Sequence, residues 1–368
     1  MHSSKNVHPI SPASGVSRER VTITLQRFSG NCVGARNARR IWRRREGLLV
    51  DLDVDGVHGI GEASPLPGYS PDTLDDAQTA LAAIDRRALG RALALPEINA
   101  TLKGAAELLP STQPAARMAL ETAVLDWCAR RHGVSAASLL GIDPQAARAL
   151  AWLVTAADPV GVRAAEAAGY RHFKMKIGAP WSLAAELIDV VDLTRSLGSQ
   201  SRLRLDVNQA WTQVQAQSAC RALVGTQIEF IEEPCRGWSR PLDTDIPMAL
   251  DESLRGCHPD ELAALVGKTG AGVVVLKPML LGGITRCLEW GRQASALGLG
   301  IVVSHSFDGP VALMAAGAIA LALPTACAQG LAPHAGLAAW PRLRLPIVGG
   351  ALRAWIEPGL GMSRGDWQ

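Results

Sequence analysis

The sequence predicts an α/β fold, a closed (β/α) barrel preceded by a smaller α+β domain. Three observations predict it. From residue 149 onward, short apolar runs alternate with helix-suited segments about eight times, the repeat of parallel strands joined by crossover helices. Five of these runs, between Lys174 and Lys277, end in charged residues roughly 20–30 residues apart, about one strand plus one helix per interval. Charges at strand ends on one rim of a parallel barrel converge on a single point. Before residue 149, strands and helices come in separate blocks, the mark of an α+β unit.

Composition sets the outer bounds. The chain has 368 residues, enough for a barrel and a smaller domain, and 48% of them are hydrophobic and 19% charged, an ordinary globular balance. A net charge of +3 is too small to imply nucleic acid or a membrane surface. Seven scattered cysteines without a Cys-x-x-Cys pair suggest neither a disulfide framework nor a thiolate zinc site, and fit a reducing compartment. Residues 1–20 lack the apolar core of a signal peptide, and no apolar run reaches membrane-spanning length. The expectation is a cytoplasmic protein with a frayed start, an α+β domain over 21–133, a barrel over 134–332 and a tail, 333–368, returning to the first domain.

In chain order, residues 21–25 alternate as a strand. Arginines then cluster over residues 36–45, around Ile41 and Trp42, and run into the alternating stretch 47–54. That cluster lacks a nucleic-acid recognition motif and reads as the solvated face of a strand. Asp55-Gly56 marks a hairpin turn, because both residues tolerate positive φ, and residues 57–62 return. The loop 63–70 is shaped by two prolines and a glycine. Ser70 before Pro71 reads as a helix cap, followed by Leu74, Ala77, Leu81 and Ile84 at helical spacing. A second helix is expected over Pro114–Arg131.

Barrel strands are expected at 149–155, 172–177, 203–207, 228–232, 248–251, 273–277, 301–304 and, least distinctly, 327–331. Helices are expected at 159–168, 181–197, 211–224, 259–266, 284–297 and 310–323. An open doubly wound sheet is the alternative fold, but no Gly-x-Gly-x-x-Gly follows a strand, which argues against a dinucleotide site.

Asp206, Glu232 and Asp251 end three consecutive runs. Three carboxylates buried together are driven to protonate unless a cation neutralises them. An all-oxygen set without His or Cys suits Mg²⁺ or Mn²⁺; the alternative is that each acid ends in solvent or pairs with an arginine. Lys174 and Lys176 share one face of their strand. That face is the barrel interior, since Phe173, Met175 and Ile177 suit the helix layer. Lys277 enters from a distant strand. A lysine near a divalent cation loses its proton more readily and becomes usable as a base; Lys174 is either such a group or a structural ion-pair partner. The set suits removal of a proton α to a carboxylate, where a cation and a lysine share the work. The partner is then a small carboxylate, not a nucleic acid or a membrane.

Lys174-Met175-Lys176, Asp206-Val207-Asn208, Glu232-Glu233-Pro234, Asp251-Glu252-Ser253 and Leu276-Lys277-Pro278, in this order, resemble the enolase superfamily, in its muconate-lactonising-enzyme subgroup. The resemblance implies a modified (β/α)7β TIM-type barrel under an α+β capping domain. Within the subgroup, Gly61-Glu62-Ala63-Ser64-Pro65-Leu66-Pro67-Gly68-Tyr69-Ser70, Arg204-Leu205-Asp206 and Ile231-Glu232-Glu233-Pro234-Cys235 are most similar to the o-succinylbenzoate synthases of menaquinone biosynthesis. That similarity implies Mg²⁺ on Asp206, Glu232 and Asp251. Lys176 would act as the base, returning the proton to the departing hydroxide, and Lys277 would steady the intermediate from the opposite face. It implies substrate contacts from Lys174, Arg204, Asn208, Ser304 and Ser306, with the loop 65–70 closing over the substrate. Ser304-His305-Ser306-Phe307-Asp308-Gly309-Pro310 departs from the serine-rich pattern of the synthases. His305 is there either an extra acid–base group or a hydrogen-bonded strand-end residue.

N-acylamino-acid racemases, dipeptide epimerases and muconate cycloisomerases use the same framework and are the nearest alternatives. A Schiff-base aldolase and a basic binding protein built on the arginine cluster are the more distant ones.

Overall fold

A computed structural model of the chain describes residues 21–36, 40–154, 158–178, 182–337 and 345–362. The N-terminal stretch, the middle of the arginine cluster, the expected ends at Thr155 and Trp181, and parts of the tail lie outside these residues.

The first domain opens with an antiparallel sheet of β1 (Val21–Arg36), β2 (Ile41–Val54) and β3 (Val57–Ala63). The β2–β3 hairpin turns at Asp55 (φ 53°) and Gly56 (φ 83°), the paired positive φ that the Asp-Gly pattern predicts. Four helices follow: α1 (Leu74–Ala82), α2 (Arg86–Leu93), α3 (Ile98–Ala106) and α4 (Pro114–Arg131). The cap of α1 is not Ser70. Thr73 and Asp76 form a reciprocal capping box, while the Ser70 hydroxyl accepts the Leu66 N–H inside the preceding loop. Helices α2 and α3 escape the sequence reading because each has only two turns and a narrow apolar stripe.

Helix α4 is buried along nearly its whole length. It lies between the sheet and the barrel, touching β3 on one side and barrel helices on the other. The small residues of β3 permit this. A Cβ on Gly61 would stand 1.9 Å from the Ala119 carbonyl oxygen, so only glycine lets the strand approach the helix so closely.

The chain then passes through α5 (Ala136–Leu139) and β4 (Ala147–Ala149) into the alternating part. Its elements are β5 (Ala151–Val154), α6 (Pro159–Ala167), β6 (His172–Lys176), α7 (Leu183–Ser196), β7 (Arg202–Asp206), α8 (Gln213–Ala222), β8 (Ile228–Glu232), β9 (Met248–Leu250), α9 (Leu262–Thr269), β10 (Val273–Leu276), α10 (Pro278–Leu281), α11 (Gly283–Ala296), β11 (Gly300–Val303) and α12 (Pro310–Ala322). Strands β5 to β11 form one curled parallel sheet in sequential order, as in a TIM-type barrel under a capping domain.

The expected eighth strand is present only as single parallel bridges, Leu150 with Gln329 and Ser304 with Gly330. These join the two edges of the sheet. The Gln329 side chain replaces the missing ladder, accepting the Val303 N–H at 2.7 Å and donating to the Cys327 carbonyl at 2.6 Å.

The tail forms a hairpin of β12 (Ile347–Val348) and β13 (Ala351–Arg353), and β13 pairs with β4 rather than with the first sheet. Beyond it, Leu360 and Met362 meet α4 through Asp126 and Arg130.

Two buried charges join the domains. Arg45 belongs to the cluster expected to be solvated, yet it is fully buried. Its guanidinium donates to the carbonyls of Ser64, Pro65 and, at 2.9 Å, Phe307. Glu62 accepts the N–H groups of Gly309 (2.6 Å), Val311 (3.1 Å) and Ala312 (3.2 Å), capping α12 with a carboxylate from the other domain. Free N–H groups at a helix start favour an anion there. Replacing Glu62 by Ala strands three buried donors and should lower stability by ~3 kcal/mol. Urea unfolding measures this, and a loss under ~1 kcal/mol would show that the cap is not needed.

Candidate active site

The strand ends of the barrel and the loop 63–70 enclose one cavity, lined by Lys174, Lys176, Asp206, Asn208, Lys277, Ser304, Ser306 and, from the first domain, Trp42, Leu66 and Tyr69. Seven strands and the closing segment make eight staves. Strands β6 and β10 are four staves apart by either route, so Lys176 and Lys277 enter from opposite sides.

Parallel register explains the grouping. Lys176, Asp206 and Glu232 align across β6, β7 and β8, so their side chains leave the same face at the same height. Lys174 Nζ lies 2.9 Å from Asp206 and 2.8 Å from Glu232. Lys277 contacts Asp251 and donates to the Tyr69 hydroxyl at 3.0 Å. Asp206, Glu232 and Asp251 are all nearly fully buried.

Their protonation follows from this crowding. Burial would raise Asp206, but the charges of Lys174, Lys176 and Lys277 reverse the effect and hold it low. Glu232 is pushed up by burial and by the neighbouring Asp206 charge. Burial would lower Lys174 and Lys277, yet their carboxylate partners overcompensate and keep both protonated. Lys176 differs. Burial and the charges of Lys174 and Lys277 outweigh Asp206 and bring it down to about 8. Its ammonium donates to the Arg36 carbonyl at 3.1 Å and sits 5.4 Å from the Phe307 ring centre.

Among the described residues, no three carboxylate, His or Cys side chains already converge on a metal position; the lysine ammonium groups stand against the acids instead. The donor chemistry nonetheless fits a hard divalent cation. Three buried carboxylates from adjacent strand ends are an all-oxygen donor set of the kind such a cation takes.

The backbone is bent to suit the site. Apart from the hairpin residue Asp55, the non-glycine residues with positive φ among those described are Asn208, Gln209, Glu233 and Phe307, all just beyond strand ends around the cavity. Such conformations cost energy and cluster at functional sites. The turn at Glu233 sends its carboxylate to the N–H groups of Asp251 (2.8 Å) and Ser253 (2.7 Å), so it positions Asp251 and does not face the cavity.

Other expected contacts divide. Asn208 lines the cavity and donates to Glu252 at 3.2 Å. Ser304 and Ser306 line it on the far side. Arg204 does not. It stands one residue pair nearer the N-terminal end of the strands than Asp206, binds Glu229 through two nitrogens at 2.8 Å, and donates to the Ala328 carbonyl at 2.7 Å. The guanidinium braces the closing segment from inside the barrel.

Sequence reasoning missed Tyr69, Glu252 and His334. Tyr69 is one of two tyrosines in the chain and lies in the loop already singled out; Glu252 directly follows a predicted ligand. His334 carries no local signal.

Burial would raise Glu229, but hydrogen bonds from His172 and Arg204 reverse this and hold it at about 2 against an ordinary 4.5. Arg204→Met should therefore cost ~3 kcal/mol of stability near neutral pH. A depressed carboxylate contributes above its unfolded value and loses that contribution as pH falls through its folded one. The gap between variant and wild type in denaturant titrations should thus narrow from pH 4.5 towards 2; a constant gap would count against the ion pair.

The family description "Enolase C-terminal domain-like" matches residues 160–364, and "MenC, N-terminal domain" matches residues 33–103. A protein of Klebsiella pneumoniae (strain 342) called o-succinylbenzoate synthase is 33% identical over 322 residues, covering 83% of this chain and 90% of that protein. One of the same name from Escherichia coli O6:K15:H31 (strain 536 / UPEC) is 32% identical over 324 residues, again 83% and 90%. Among solved structures, the muconate lactonizing enzyme of Pseudomonas fluorescens, complexed with muconolactone, superposes with a TM-score of 0.78 at 25% identity, over 93% of this chain and 96% of that one. A dipeptide epimerase of Methylococcus capsulatus, complexed with Mg and the dipeptide L-Arg-D-Lys, gives a TM-score of 0.77 at 25% identity, over 93% and 99%. With its barrel, its strand-end acids and lysines, and these matches over most of its length, the chain belongs to the enolase superfamily.

Proposed function

We propose that this site removes the proton α to the carboxylate of a small molecule, and that the reaction is the syn dehydration of 2-succinyl-6-hydroxy-2,4-cyclohexadiene-1-carboxylate to 2-succinylbenzoate, a step of menaquinone biosynthesis. The observation that carries the proton abstraction is the contrast among three lysines that line one cavity. Lys174 and Lys277 are held protonated by acids, whereas Lys176 is brought down to about 8, where a lysine becomes usable as a base. The curated relatives named above, and the matched description of the first domain, support the dehydration.

Asp206, Glu232 and Asp251 would hold Mg²⁺ or Mn²⁺, and Lys174 and Lys277 would yield some of their carboxylate contacts to it. The bound cation supplies positive charge to the substrate carboxylate, where charge builds as the proton leaves. Lys176 takes the proton from one face and, once charged, returns it to the departing hydroxyl on that face, which sets the syn course. Lys277, kept protonated from the opposite stave, steadies the developing negative charge and the forming ring. Tyr69, Leu66 and Trp42 close the mouth and exclude water, which strengthens each of these interactions.

A second reading is racemisation or epimerisation of an acylamino acid or dipeptide, or cycloisomerisation. Two lysines on opposite staves suit a two-base reaction. Likeness of fold favours this reading, since the matched solved structures include a muconate lactonizing enzyme and a dipeptide epimerase.

Turnover of the cyclohexadiene substrate with Mg²⁺, and its loss on chelation, is expected. Absence of turnover, with exchange of the α-proton of both enantiomers of an acylamino acid in D₂O, would establish the second reading instead. Lys176→Arg places a group that stays protonated at the base position and should lower kcat/KM by ~10³-fold. Since Lys176 must be neutral to act, kcat/KM should fall about tenfold per unit as pH drops below about 8. A profile flat from pH 6 to 9, or an active Lys176→Arg, would remove Lys176 from the role.

A further inference from the structure

Two histidines from separate segments share the cavity wall across from Asp206 and Glu232. His305 follows β11, and His334 follows the closing segment at Gln329–Gly330. Their rings stack, with centroids 5.3 Å apart and planes 16° from parallel.

Each ring is fixed in the same tautomer by the backbone behind it. His305 Nδ1 accepts the Phe307 N–H at 3.0 Å, and His334 Nδ1 accepts the Gly336 N–H at 3.0 Å. A ring nitrogen that accepts an N–H carries no proton, so in both rings the hydrogen sits on Nε2. The left-handed turn at Phe307 (φ 57°) places the first of these N–H groups. Neither Nε2 has a hydrogen-bond partner among the described residues.

The surroundings favour the neutral form. Burial, His334 and the lysine charges push His305 well below its usual range, and burial with Lys176 and Lys174 brings His334 down to about 3. Beside them, the Ser306 hydroxyl is buried without a partner among the described residues. This part of the wall therefore offers hydrogen-bond donors that face an electropositive cavity. It complements a group that only accepts, and above all an anionic one.

Position separates this group from the reacting carboxylate. In the eight-stave ring, the closing segment is four staves from β8, which carries Glu232, and β11, which precedes His305, is three. A molecule that reaches from the acids to the histidines spans the cavity mouth and has a polar group at each end. We infer that His305 and His334 form a neutral two-donor clamp for a second carboxylate of the substrate, remote from the carbon that loses its proton. The inference rests on the reading that the first carboxylate binds at the acid end, and it makes the preferred substrate a dicarboxylate.

Affinity for matched pairs tests both. In Mg²⁺, titration calorimetry would compare o-succinylbenzoate with 2-butyrylbenzoate, cis,cis-muconate with sorbate, and N-acetylglutamate with N-acetylnorvaline. Each pair differs in the second carboxylate, the sorbate used being the (2Z,4Z) isomer that matches cis,cis-muconate. In whichever pair binds, the wild type should favour the diacid by ~10-fold or more. The double variant His305→Phe/His334→Phe keeps two aromatic rings but removes both donors, and should bring that preference close to unity while the monoacid still binds. Gln at both positions, with an amide N–H near the place of Nε2–H, should restore part of it. A diacid preference that survives in the Phe variant, or monoacids that bind the wild type as well as diacids, would overturn the clamp and leave the acid-end reading intact. If no member of any pair binds in Mg²⁺, the acid-end reading has failed and the clamp fails with it.

Discussion

The structure turns on the cost of burying charge. Asp206, Glu232 and Asp251 lie within a few per cent of full burial, where an uncompensated carboxylate would not stay ionised. Lys174 bridges two of them and Lys277 holds the third. The lysine charges hold Asp206 low and the acids keep Lys174 and Lys277 protonated, while burial and the Asp206 charge still push Glu232 up. Lys176 stands in the same crowd without an ion pair to a carboxylate among the described residues, and burial together with the neighbouring lysine charges brings it down. One electrostatic constraint thus assigns different roles to three residues of the same kind.

The second constraint is the seam between domains. Neither domain encloses the cavity alone. The barrel supplies the charged rim, and the first domain supplies Trp42, Leu66 and Tyr69 as walls. Arg45 and Glu62 hold the two in register by crossing the seam in both directions, a cation to the Phe307 carbonyl and an anion to the start of α12. Both end in the segment 307–312, directly after His305 and Ser306. The same contacts that close the cavity also set the far wall against which a substrate must fit. Precision in that segment is needed because hydrogen-bond recognition fails over displacements of about 1 Å.

Much of this could be read in the chain because periodicity and charge are local properties. The alternation after residue 149, the acids at Asp206, Glu232 and Asp251 and the paired lysines at spacing two follow from pattern alone, and strand order then brings them to one rim. Arg204 shows the limit. A polar residue two positions before Asp206 has the same inward direction, yet only the register shift between β7 and β8, with Glu229 waiting beside it, decides that it braces the barrel interior. Glu233 makes the same point, since a single left-handed turn separates it from its neighbour Glu232 and gives it a positioning task.

By itself, then, the sequence determined the barrel repeat, the acid and lysine rim and the class of chemistry that such a rim supports, because each depends on residues near one another in the chain. Tertiary structure alone decided which lysines pair with carboxylates, that Arg45 is buried rather than solvated, that Tyr69 meets Lys277, and that His305 and His334 stack with the hydrogen of each ring on Nε2. Each of these pairs residues far apart in the chain, and their protonation and direction come from neighbours that only folding supplies.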